Sequence, residues 1–357
     1  MNIKGNNTMK KKNCAIIGYG GMGGWHASFL KNSDVAELCG IYDIKPERRD
    51  AAKQNGIHAY SSLEELLADP KIEFVTIAVP NDMHKPIAIQ AMKAGKHVIS
   101  EKPVTLSSAD LNEMIDASKK YNRIFTVHQN RRWDGEFLVM KEVYNSHDLG
   151  DVFCIESRVH GSRGIPGDWR QEKVHGGGMM LDWGVHLIDQ IMGVVTDRKL
   201  LSVWCHCDHI TNAEVDDGFK LEMYFENDLN VHIEVGTSHF ISMPRVYMSG
   251  SNGSAIIPDW GQPCRVVYCK IRDEKDVIPV KTAAGITKTM APRDESSIVE
   301  KTIDQPASDV HDFYRNFCRT IDGTETQIVT HEQMMTVMKI MEAALKSDEL
   351  GMPVKFD

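Results

Sequence analysis

The sequence contains no long hydrophobic run and no excess of basic residues. No window approaches the roughly 18 uninterrupted apolar residues that a membrane-spanning helix requires, so no membrane insertion is expected. Lys and Arg number 41 against 50 Asp and Glu, which gives a net charge of −9. Nucleic acids and anionic membranes are bound by basic surfaces, so we expect neither as a partner. The basic start, MNIKGNNTMKKKNC, lacks the apolar segment of a secretory signal, which predicts a cytoplasmic protein.

The sequence also lacks paired cysteine spacings. Its eight cysteines are scattered, and many lie in strand-like apolar runs, which is typical of reduced thiols rather than of a disulfide framework. One local cluster, Cys205-His206-Cys207-Asp208-His209, would place two thiols and an imidazole on the same face of a strand. A plain strand in which the cysteines serve as small hydrophobic residues explains this cluster more simply, so we predict no metal site.

The length of 357 residues favours two domains. Residues 13–128 alternate strands and helices, which indicates a doubly wound parallel sheet of the Rossmann type. Residues 129–357 differ, because strands dominate from about 200 to 280 and favour an antiparallel or mixed sheet. The predicted class is therefore α/β, with a Rossmann N-terminal domain and an α+β C-terminal domain. Residues 1–12 are predicted to be a flexible tail, and residues 282–306 a polar loop or arm.

A glycine-rich turn follows the first predicted strand. The run Gly18-Tyr19-Gly20-Gly21-Met22-Gly23 fits the pattern G-x-G-x-x-G and opens a predicted helix. Such glycines allow a tight turn and let a pyrophosphate approach backbone N–H groups. Asp43 ends the second predicted strand, where a carboxylate accepts hydrogen bonds from ribose hydroxyls and repels a 2′-phosphate. These features predict NAD as the cofactor and make NADP the less favoured alternative, which Lys45 and Arg48-Arg49 could still accommodate.

Polar residues are aligned on one predicted helix. Residues 176–189, GGGMMLDWGVHLID, place Asp182, His186 and Asp189 at i, i+4 and i+7, which is one face of a helix. The three glycines are expected to let a loop and the substrate come close to the start of this helix. Ser100-Glu101-Lys102-Pro103 stands at the end of a predicted strand, and the carboxyl ends of parallel strands line the ligand crevice.

Together these motifs resemble the Gfo/Idh/MocA family, the glucose–fructose oxidoreductase and inositol dehydrogenase group, over nearly the whole chain. Besides the glycine-rich turn, the resemblance rests on Val79-Pro80-Asn81 with His84, on Glu101-Lys102-Pro103 and on Asn130-Arg131-Arg132. Its most specific element is Gly176–Asp189, which matches the family's G-G-G-x-x-x-D-x-G-x-H-x-x-D segment without a mismatch. The resemblance implies a C-terminal domain with a large, open, mostly antiparallel sheet, whose outer face forms a homodimer or, as a dimer of dimers, a homotetramer.

The resemblance also implies roles for individual positions. Lys102 resembles the active-site lysine, and Asp182 and His186 resemble the aspartate–histidine pair that faces the nicotinamide. Further positions, at the strand ends of the first domain, match residues that usually approach the cofactor. These are Pro80, Asn81, His84, Glu101, Lys102 and Gln129, in addition to Gly18, Gly20, Gly21, Met22, Gly23 and Asp43.

The chemistry of these side chains suits the oxidation of an alcohol. An imidazole titrates near neutrality, so His186 can take the hydroxyl proton as a general base. A charged Lys102 would orient the hydroxyl and stabilise the developing alkoxide. Asp182 could hydrogen-bond either the substrate or the imidazole. Asp189 is expected to be a structural partner rather than a substrate contact.

The substrate pocket is expected to draw on the segment just before this helix. Side chains there combine hydrogen-bonding groups with an aromatic platform for a sugar ring. The candidates are Arg158, His160, Arg163, Trp169 and Arg170, in addition to Lys102, Asp182 and His186. The alternative is a surface loop whose Trp169 packs inward.

Three functions are compatible with these residues. The first is NAD(H)-dependent oxidation or reduction of a secondary hydroxyl of a carbohydrate, namely a sugar, a glycoside (for example at C3 of a glucoside) or a cyclitol. The second is a redox-neutral NAD-dependent glycosidase on the same fold, which would need a further base, often a tyrosine. The third is a non-catalytic NAD-bound sugar sensor. The presence of Lys102, Asp182 and His186 together favours an enzyme.

Overall fold

The first sheet is parallel and lies in the N-terminal part of the chain. The computed structural model describes residues 10–270 and 278–356, so residues 1–9 of the predicted tail lie outside the described residues. The strands are β1 (Lys12–Ile17), β2 (Ala36–Tyr42), β3 (Phe74–Ile77), β4 (His97–Ser100) and β5 (Phe125–Val127). Their order, β2-β1-β3-β4-β5, means that the chain passes from one side of β1 to the other. A doubly wound sheet forms its ligand crevice at such a point, outside the carboxyl ends of β1 and β3.

Five helices connect and cover these strands. They are α1 (Gly21–Leu30), α2 (Pro46–Gln54), α3 (Leu63–Ala68), α4 (His84–Lys93) and α5 (Ser108–Tyr121). Two of them begin at serines, because the hydroxyls of Ser62 and Ser107 accept hydrogen bonds from the backbone N–H groups of Glu65 and Asp110. All four side chains of β3 are buried, as expected for a strand covered on both faces. The predicted doubly wound parallel sheet is confirmed.

The second sheet has nine strands and is mostly antiparallel. The strands of the C-terminal part are β6 (Val152–His160), β7 (Leu200–Asp208), β8 (Gly218–Phe225), β9 (Asn230–Gly236), β10 (Val246–Gly250), β11 (Gly253–Ile257), β12 (Cys264–Cys269), β13 (Val280–Thr282), β14 (Gly285–Thr287), β15 (Ile298–Ile303) and β16 (Val354–Lys355). The order in the large sheet is β15-β12-β11-β10-β6-β9-β8-β7-β16, while β13 and β14 form a separate hairpin. Among the described strands of the large sheet, β6 and β9 pair in parallel and the other neighbours are antiparallel. The predicted large, mostly antiparallel sheet is confirmed.

Helices cover one face of the large sheet and leave the other more polar. The helices of this part are α6 (Gly135–Ser146), α7 (Val185–Val194), α8 (His311–Ile321) and α9 (His331–Leu350). Along β8 the side chains of Phe219, Leu221 and Met223 are buried, whereas Lys220 and Glu222 on the opposite face are partly exposed. The alternation has the period of two that a sheet covered on one face requires. Within the described ranges, no helix is both long and apolar enough to cross a membrane.

The segment predicted to be a polar loop or arm contains regular structure. Residues 298–303 form β15 and pair with β12 at the edge of the large sheet, for example Val266 with Lys301. The sequence there, IVEKTI, alternates only weakly between apolar and polar residues, because an edge strand needs little apolar surface. The prediction of an irregular segment is therefore wrong for these residues.

Helix α8 packs against the first sheet although it follows the second in the chain. The Tyr314 hydroxyl lies 2.7 Å from Nδ1 of His26 on α1, and both side chains are fully buried. The ring of Phe317 packs edge-on against Phe74 of β3, with centroids 5.3 Å apart. The C-terminal part of the chain therefore completes the cover of the N-terminal sheet.

The Tyr314 hydroxyl should contribute measurably to stability. Tyr314→Phe leaves Nδ1 of His26 buried without its hydrogen-bond donor, so the free energy of unfolding should fall by about 1–3 kcal/mol. Urea denaturation followed by circular dichroism measures this change. Tyr224→Phe, at a half-exposed position of the second sheet, is the matched control and should leave the transition unchanged. Equal midpoints for the two variants would contradict the role of the buried hydroxyl.

Candidate active site

The glycine-rich turn leaves room beside the start of α1. A side chain at Gly18, where φ is +93°, would overlap the carbonyl of Ala78, and one at Gly23 would overlap the carbonyl of Gly18. Gly20 and Gly21, by contrast, face open space. Among the described residues no side chain caps this helix. Its first N–H groups are therefore available to an anionic group, as the predicted pyrophosphate site requires.

Asp43 follows β2 and lies beside this turn. Its carboxylate accepts hydrogen bonds from the backbone N–H groups of Tyr19 and Lys45, at 2.7 and 2.8 Å. Arg49 donates to the carbonyl of Asp43 at 2.6 Å, so its guanidinium lies at the C-terminal end of β2. The carboxylate is thereby fixed at the edge of the crevice, with lone pairs left for hydroxyl groups.

Asn81 and His84 have partners within the protein. Asn81 is 2% exposed and donates from its side chain to the carbonyl of Gly176, at 2.9 Å. His84 is fully buried, with its ring nitrogens 2.8 and 3.0 Å from the carbonyls of Pro103 and Val79. Pro80 lies between these contacts. The structure thus gives these predicted cofactor contacts a structural task, which is to join the ends of β3 and β4 to the loop before α7.

Glu101 points into the interior of the first domain. Its Oε1 accepts hydrogen bonds from Nε2 of His26 and Nδ1 of His128, at 2.7 and 2.9 Å. Burial would raise the pKa of Glu101, but the two imidazoles outweigh it and hold this pKa well below its usual value. Burial lowers the pKa of His26, so the charged carboxylate of Glu101 accepts its hydrogen bond from a neutral ring on α1. Gln129, another predicted cofactor contact, is 3% exposed next to this group.

Lys102 bridges the two domains. Its Nζ donates to Oδ1 of Asp182 at 2.7 Å and to the backbone carbonyl of the same residue at 2.8 Å. Arg170 approaches the other carboxylate oxygen at 3.5 Å. Burial would raise the pKa of Asp182, but the two cations lower it on balance, so this side chain is an anion. Three predicted site residues are therefore brought together.

The helix that carries Asp182 and His186 starts with a π-helical turn. Residues Met180–Gly184 have this wider geometry, and the N–H of Val185 reaches back to the carbonyl of Met180. The prediction of one continuous α-helical face is therefore wrong for the first turn. The inserted residue changes the direction of Asp182 relative to His186, and π-turns of this kind occur frequently at functional sites.

The space beside each of the three glycines before this turn is occupied by other atoms of the protein. A side chain at Gly176, where φ is +73°, would overlap Leu106, and one at Gly177 would overlap the carbonyl of Arg170. At Gly178, where φ is +103°, it would overlap the carboxylate of Asp216, which accepts a hydrogen bond from the N–H of Met180. The expected close approach is confirmed for the loop. All the described atoms next to these glycines belong to the protein. The expected approach of a substrate to the start of the helix stays a prediction.

His186 is a buried, neutral base. It is 4% exposed, and its Nδ1 has no hydrogen-bond partner among the described residues. Burial, together with the charges of Lys102 and Arg131, lowers the pKa of His186 well below its usual value. Its ring meets the Trp183 indole edge to face, with centroids 5.9 Å apart. The imidazole is therefore deprotonated at neutral pH and able to accept a proton.

Asp189 holds the middle of the same helix. Its two carboxylate oxygens accept a bidentate pair of hydrogen bonds from Arg132, at 2.6 and 2.7 Å. Both side chains are largely buried, so the pair fixes α7 against the turn after β5. The expected structural role of Asp189 matches this geometry.

A pocket of about 490 Å³ lies between the start of α7 and the ends of β6 and β9, and its wall includes Trp183, whose ring contacts that of His186. Its described lining residues are Arg131, Val159, His160, Gly161, Met179, Trp183, Val235, Gly236, Thr237 and Trp260. The guanidinium of Arg131 lies 4.3 Å from the centroid of Trp183, whose ring is 5.9 Å from that of Trp260. The sequence analysis did not assign Trp183, Trp260 or Arg131 to the site. For Trp183, the signal in the sequence that could have indicated a place in the site is its position next to Asp182.

Two of the predicted substrate contacts, Arg158 and His160, lie on β6. Arg158 pairs with Glu234 at 3.2 Å on the outer face of the sheet, because side chains alternate along β6 and its neighbour Val159 takes the pocket side. His160 contributes to the pocket wall, yet its ring stacks on His239 at 4.1 Å. Arg158 is therefore not among the described residues that line this pocket, and its contact with the substrate stays a prediction.

The loop 162–178 holds three residues predicted to contact the substrate, and one of them, Arg170, reaches Asp182. Arg163 is exposed, whereas Trp169 is partly buried with the guanidinium of Arg170 4.7 Å from its ring centroid. Trp169 thus supports Arg170 rather than lining the pocket. Trp169 is not among the described lining residues of the pocket, so both its contact with a substrate and its alternative of packing inward stay predictions.

Two His/Glu groups among the described residues have donor atoms within 4.8 Å of one another. In the group around Glu101, the donor atoms already share hydrogen bonds. In the other group, His160 and His239 stack with only 5° between their rings, so their in-plane lone pairs cannot converge on one ion near Glu234. In the cluster of residues 205–209, the ring of His209 is hydrogen-bonded to carbonyls of its own loop. The geometry therefore favours a metal site at none of these places.

The doubly wound parallel sheet with its glycine-rich turn and Asp43 is the arrangement of a dinucleotide-binding domain, the class found in nicotinamide-dependent oxidoreductases. Comparison with known proteins identifies the family within this class. Residues 12–129 match the oxidoreductase family with an NAD-binding Rossmann fold, and residues 137–256 match the GFO/IDH/MocA C-terminal domain. The chain belongs to the Gfo/Idh/MocA family.

Three similar proteins show how far this relationship extends. An NAD-binding protein from Listeria innocua is 44% identical, with a TM-score of 0.92 over 98% of this chain and 100% of that one. An uncharacterized oxidoreductase of Schizosaccharomyces pombe is 30% identical over 85% of this chain and 86% of its own. The scyllo-inositol 2-dehydrogenase (NADP(+)) of Bacillus subtilis is 26% identical over 97% and 96%.

Removing one partner of the buried pair between Arg132 and Asp189 should destabilise the fold. Asp189→Asn keeps the shape but leaves the guanidinium without a counter-charge, so the free energy of unfolding should fall by about 3–5 kcal/mol. Guanidinium chloride denaturation measures the loss. Glu300→Gln is the matched control, because it breaks a bidentate pair with Arg265 that is exposed to solvent, and it should have little effect. A comparable loss in both variants would contradict the role of burial.

Proposed function

We propose that this protein is an NAD-dependent dehydrogenase that oxidises or reduces a secondary hydroxyl of a sugar, glycoside or cyclitol. The observation that carries the proposal is the arrangement at the domain boundary. The Lys102–Asp182 pair lies at the crevice of the first sheet, and the neutral His186 lies on the same helix as Asp182, within the electrostatic reach of Lys102. A positive charge and a free base beside a nicotinamide site are what alcohol oxidation requires.

Each of the three residues has a separate task in this proposal. Bound NAD would supply the hydride acceptor. The neutral imidazole of His186 accepts the hydroxyl proton, and its burial favours a base without a positive charge in the ground state. Lys102 orients the hydroxyl oxygen and stabilises negative charge on it. Asp182 holds the ammonium group of Lys102 in place, with Arg170 fixing its second oxygen.

The pocket supports a carbohydrate or cyclitol as the substrate. It combines two indoles with a guanidinium and backbone groups, which suits a ring that has apolar C–H faces and hydroxyl edges. The name of the similar scyllo-inositol 2-dehydrogenase points to the same substrate class. None of the described lining residues is a tyrosine, so the pocket offers no such base for a redox-neutral glycosidase.

Three further assignments belong to the same proposal. We place the NAD-binding domain at residues 13–128 and the substrate domain at 129–357. We assign assembly into a homodimer or homotetramer to the more polar outer face of the large sheet, where Phe153 is 49% exposed and Tyr224 39% exposed. We also assign the protein to the cytoplasm.

His186→Ala should abolish turnover while NAD binding persists. Loss of the base should lower kcat by about 10²–10⁴-fold, since that is the usual contribution of general-base catalysis. Initial rates at 340 nm with sugars, glycosides and inositols give kcat, and NADH fluorescence titration gives the cofactor affinity. His58→Ala, at an exposed position, is the control and should behave like the native protein. Full turnover in His186→Ala would refute the assigned role.

Asp43→Ser should shift the cofactor preference from NAD towards NADP. The carboxylate repels a 2′-phosphate and accepts bonds from ribose hydroxyls, so its removal should reduce the NAD:NADP ratio of kcat/KM by about tenfold or more. Steady-state kinetics with both cofactors measures the ratio. Asp50→Ser, on the exposed face of α2, is the control. A native protein that prefers NADP would contradict the assignment of NAD.

A further inference from the structure

We propose that the pocket beside His186 has an outer compartment, bounded by Trp260, that binds a neutral second ring: the aglycone or second sugar of a glycoside. The inference rests on the proposed function and makes its substrate class narrower. A ring in the inner compartment would present its hydroxyl to His186, and the substituent on that ring would extend to Trp260.

The position of Trp260 is the first argument. This residue follows β11 in the turn to β12 and lines the pocket, yet 42% of its side chain is exposed. Large aromatic side chains are usually buried, and those left exposed at the rim of a pocket often contact a ligand. The guanidinium of Arg131 also lies 5.5 Å from the ring centroid of Trp260, so the exposed part of the indole borders the pocket beside Arg131.

The support beneath Trp260 is the second argument. The guanidinium of Arg245 lies 4.5 Å from its ring centroid, and Arg245 is only 3% exposed. Arg245 is paired with the equally buried Glu136 at 2.8 Å, and it donates to the hydroxyl of Ser157 at 3.0 Å. A buried ion pair therefore holds the indole in place, which reduces the entropy cost of using it as a binding surface.

The spacing of the rings separates two compartments. The ring of His186 is 5.9 Å from Trp183, and Trp183 is a further 5.9 Å from Trp260. A six-membered ring that reaches His186 rests against Trp183. Trp260 contacts Trp183 and lines the same pocket, so we place a group attached to the first ring against Trp260. The pocket volume of about 490 Å³ falls within the range of ligand sites that hold more than a small fragment.

The charges around the pocket favour a neutral occupant. Arg131 is paired with Asp134 at 2.9 Å, and Arg245 with Glu136, so each guanidinium has its own carboxylate. A phosphate or carboxylate on the substrate would find no uncompensated positive charge there. The buried Nε of Arg131, which has no hydrogen-bond partner among the described residues, can still donate to a hydroxyl or ring oxygen.

The test compares substrates that share the oxidised ring and differ in the second group. Steady-state kcat/KM is measured with myo-inositol, methyl glucoside, phenyl glucoside and cellobiose, for the native protein and for Trp260→Ala and Trp260→Phe. We expect the native protein to prefer the phenyl glucoside or cellobiose over methyl glucoside. Trp260→Ala should reduce kcat/KM about tenfold more for the two larger substrates than for the two smaller ones, and Trp260→Phe should restore most of this difference.

The outcomes separate this inference from the function beneath it. An equal loss on all substrates in Trp260→Ala, or no preference of the native protein for a second ring, overturns the outer compartment and leaves the dehydrogenase assignment intact. If the native protein oxidises none of the four, nor any of a wider panel of sugars, the proposed function fails and the compartment with it. Should Trp260→Ala not fold, as judged by circular dichroism, Trp260→Leu takes its place with the same expectation.

Discussion

The ion pair between Lys102 and Asp182 is the contact on which the arrangement of the site depends. One partner ends a strand of the parallel sheet, and the other lies in the π-turn before α7, so the pair can form only when both domains are correctly placed. Each side chain is about one-sixth exposed, which makes the pair stronger than a surface salt bridge. Because Lys102 also bonds to the Asp182 carbonyl, the contact fixes both backbone and side chain. A substrate that approaches Lys102 therefore meets a charge whose position is already set.

Three other buried carboxylates are paired with basic side chains and lie near this contact. Glu101 between two imidazoles, Asp189 on Arg132 and Glu136 on Arg245 each hold a different neighbour of the site. Such pairs add little net stability, since desolvation offsets their attraction. Their contribution is to orientation. A buried charged group is satisfied only where its partner lies, so each pair fixes the relative position of its two side chains. The site is thus held by groups that cannot shift without leaving a charge unpaired.

Patterns that depend on neighbouring residues were predictable, and contacts across the fold were not. The glycine-rich turn and the strand that ends at Lys102 follow from local order, and so does the spacing of Asp182 and His186. The direction of Arg158 was not predictable, because a shift of one residue along a strand sends a side chain to the other face. Trp260 reaches the pocket only through the pairing of β10, β11 and β12, which no local signal predicts. The π-turn also escaped prediction, because glycine contacts with Leu106 and Asp216 fix the backbone before it.

The packing of α8 on the first sheet has a consequence for the order of folding. The hydroxyl of Tyr314 and the ring of His26 are separated by 288 positions in the chain. During synthesis the N-terminal sheet emerges first, yet the aromatic layer over β3 is missing until residues 311–321 have left the ribosome. The nascent first domain therefore spends most of translation with that surface uncovered, which makes it a binding site for chaperones and a point of aggregation. The packing of the N-terminal sheet can therefore be completed only after residues 311–321 have been synthesised.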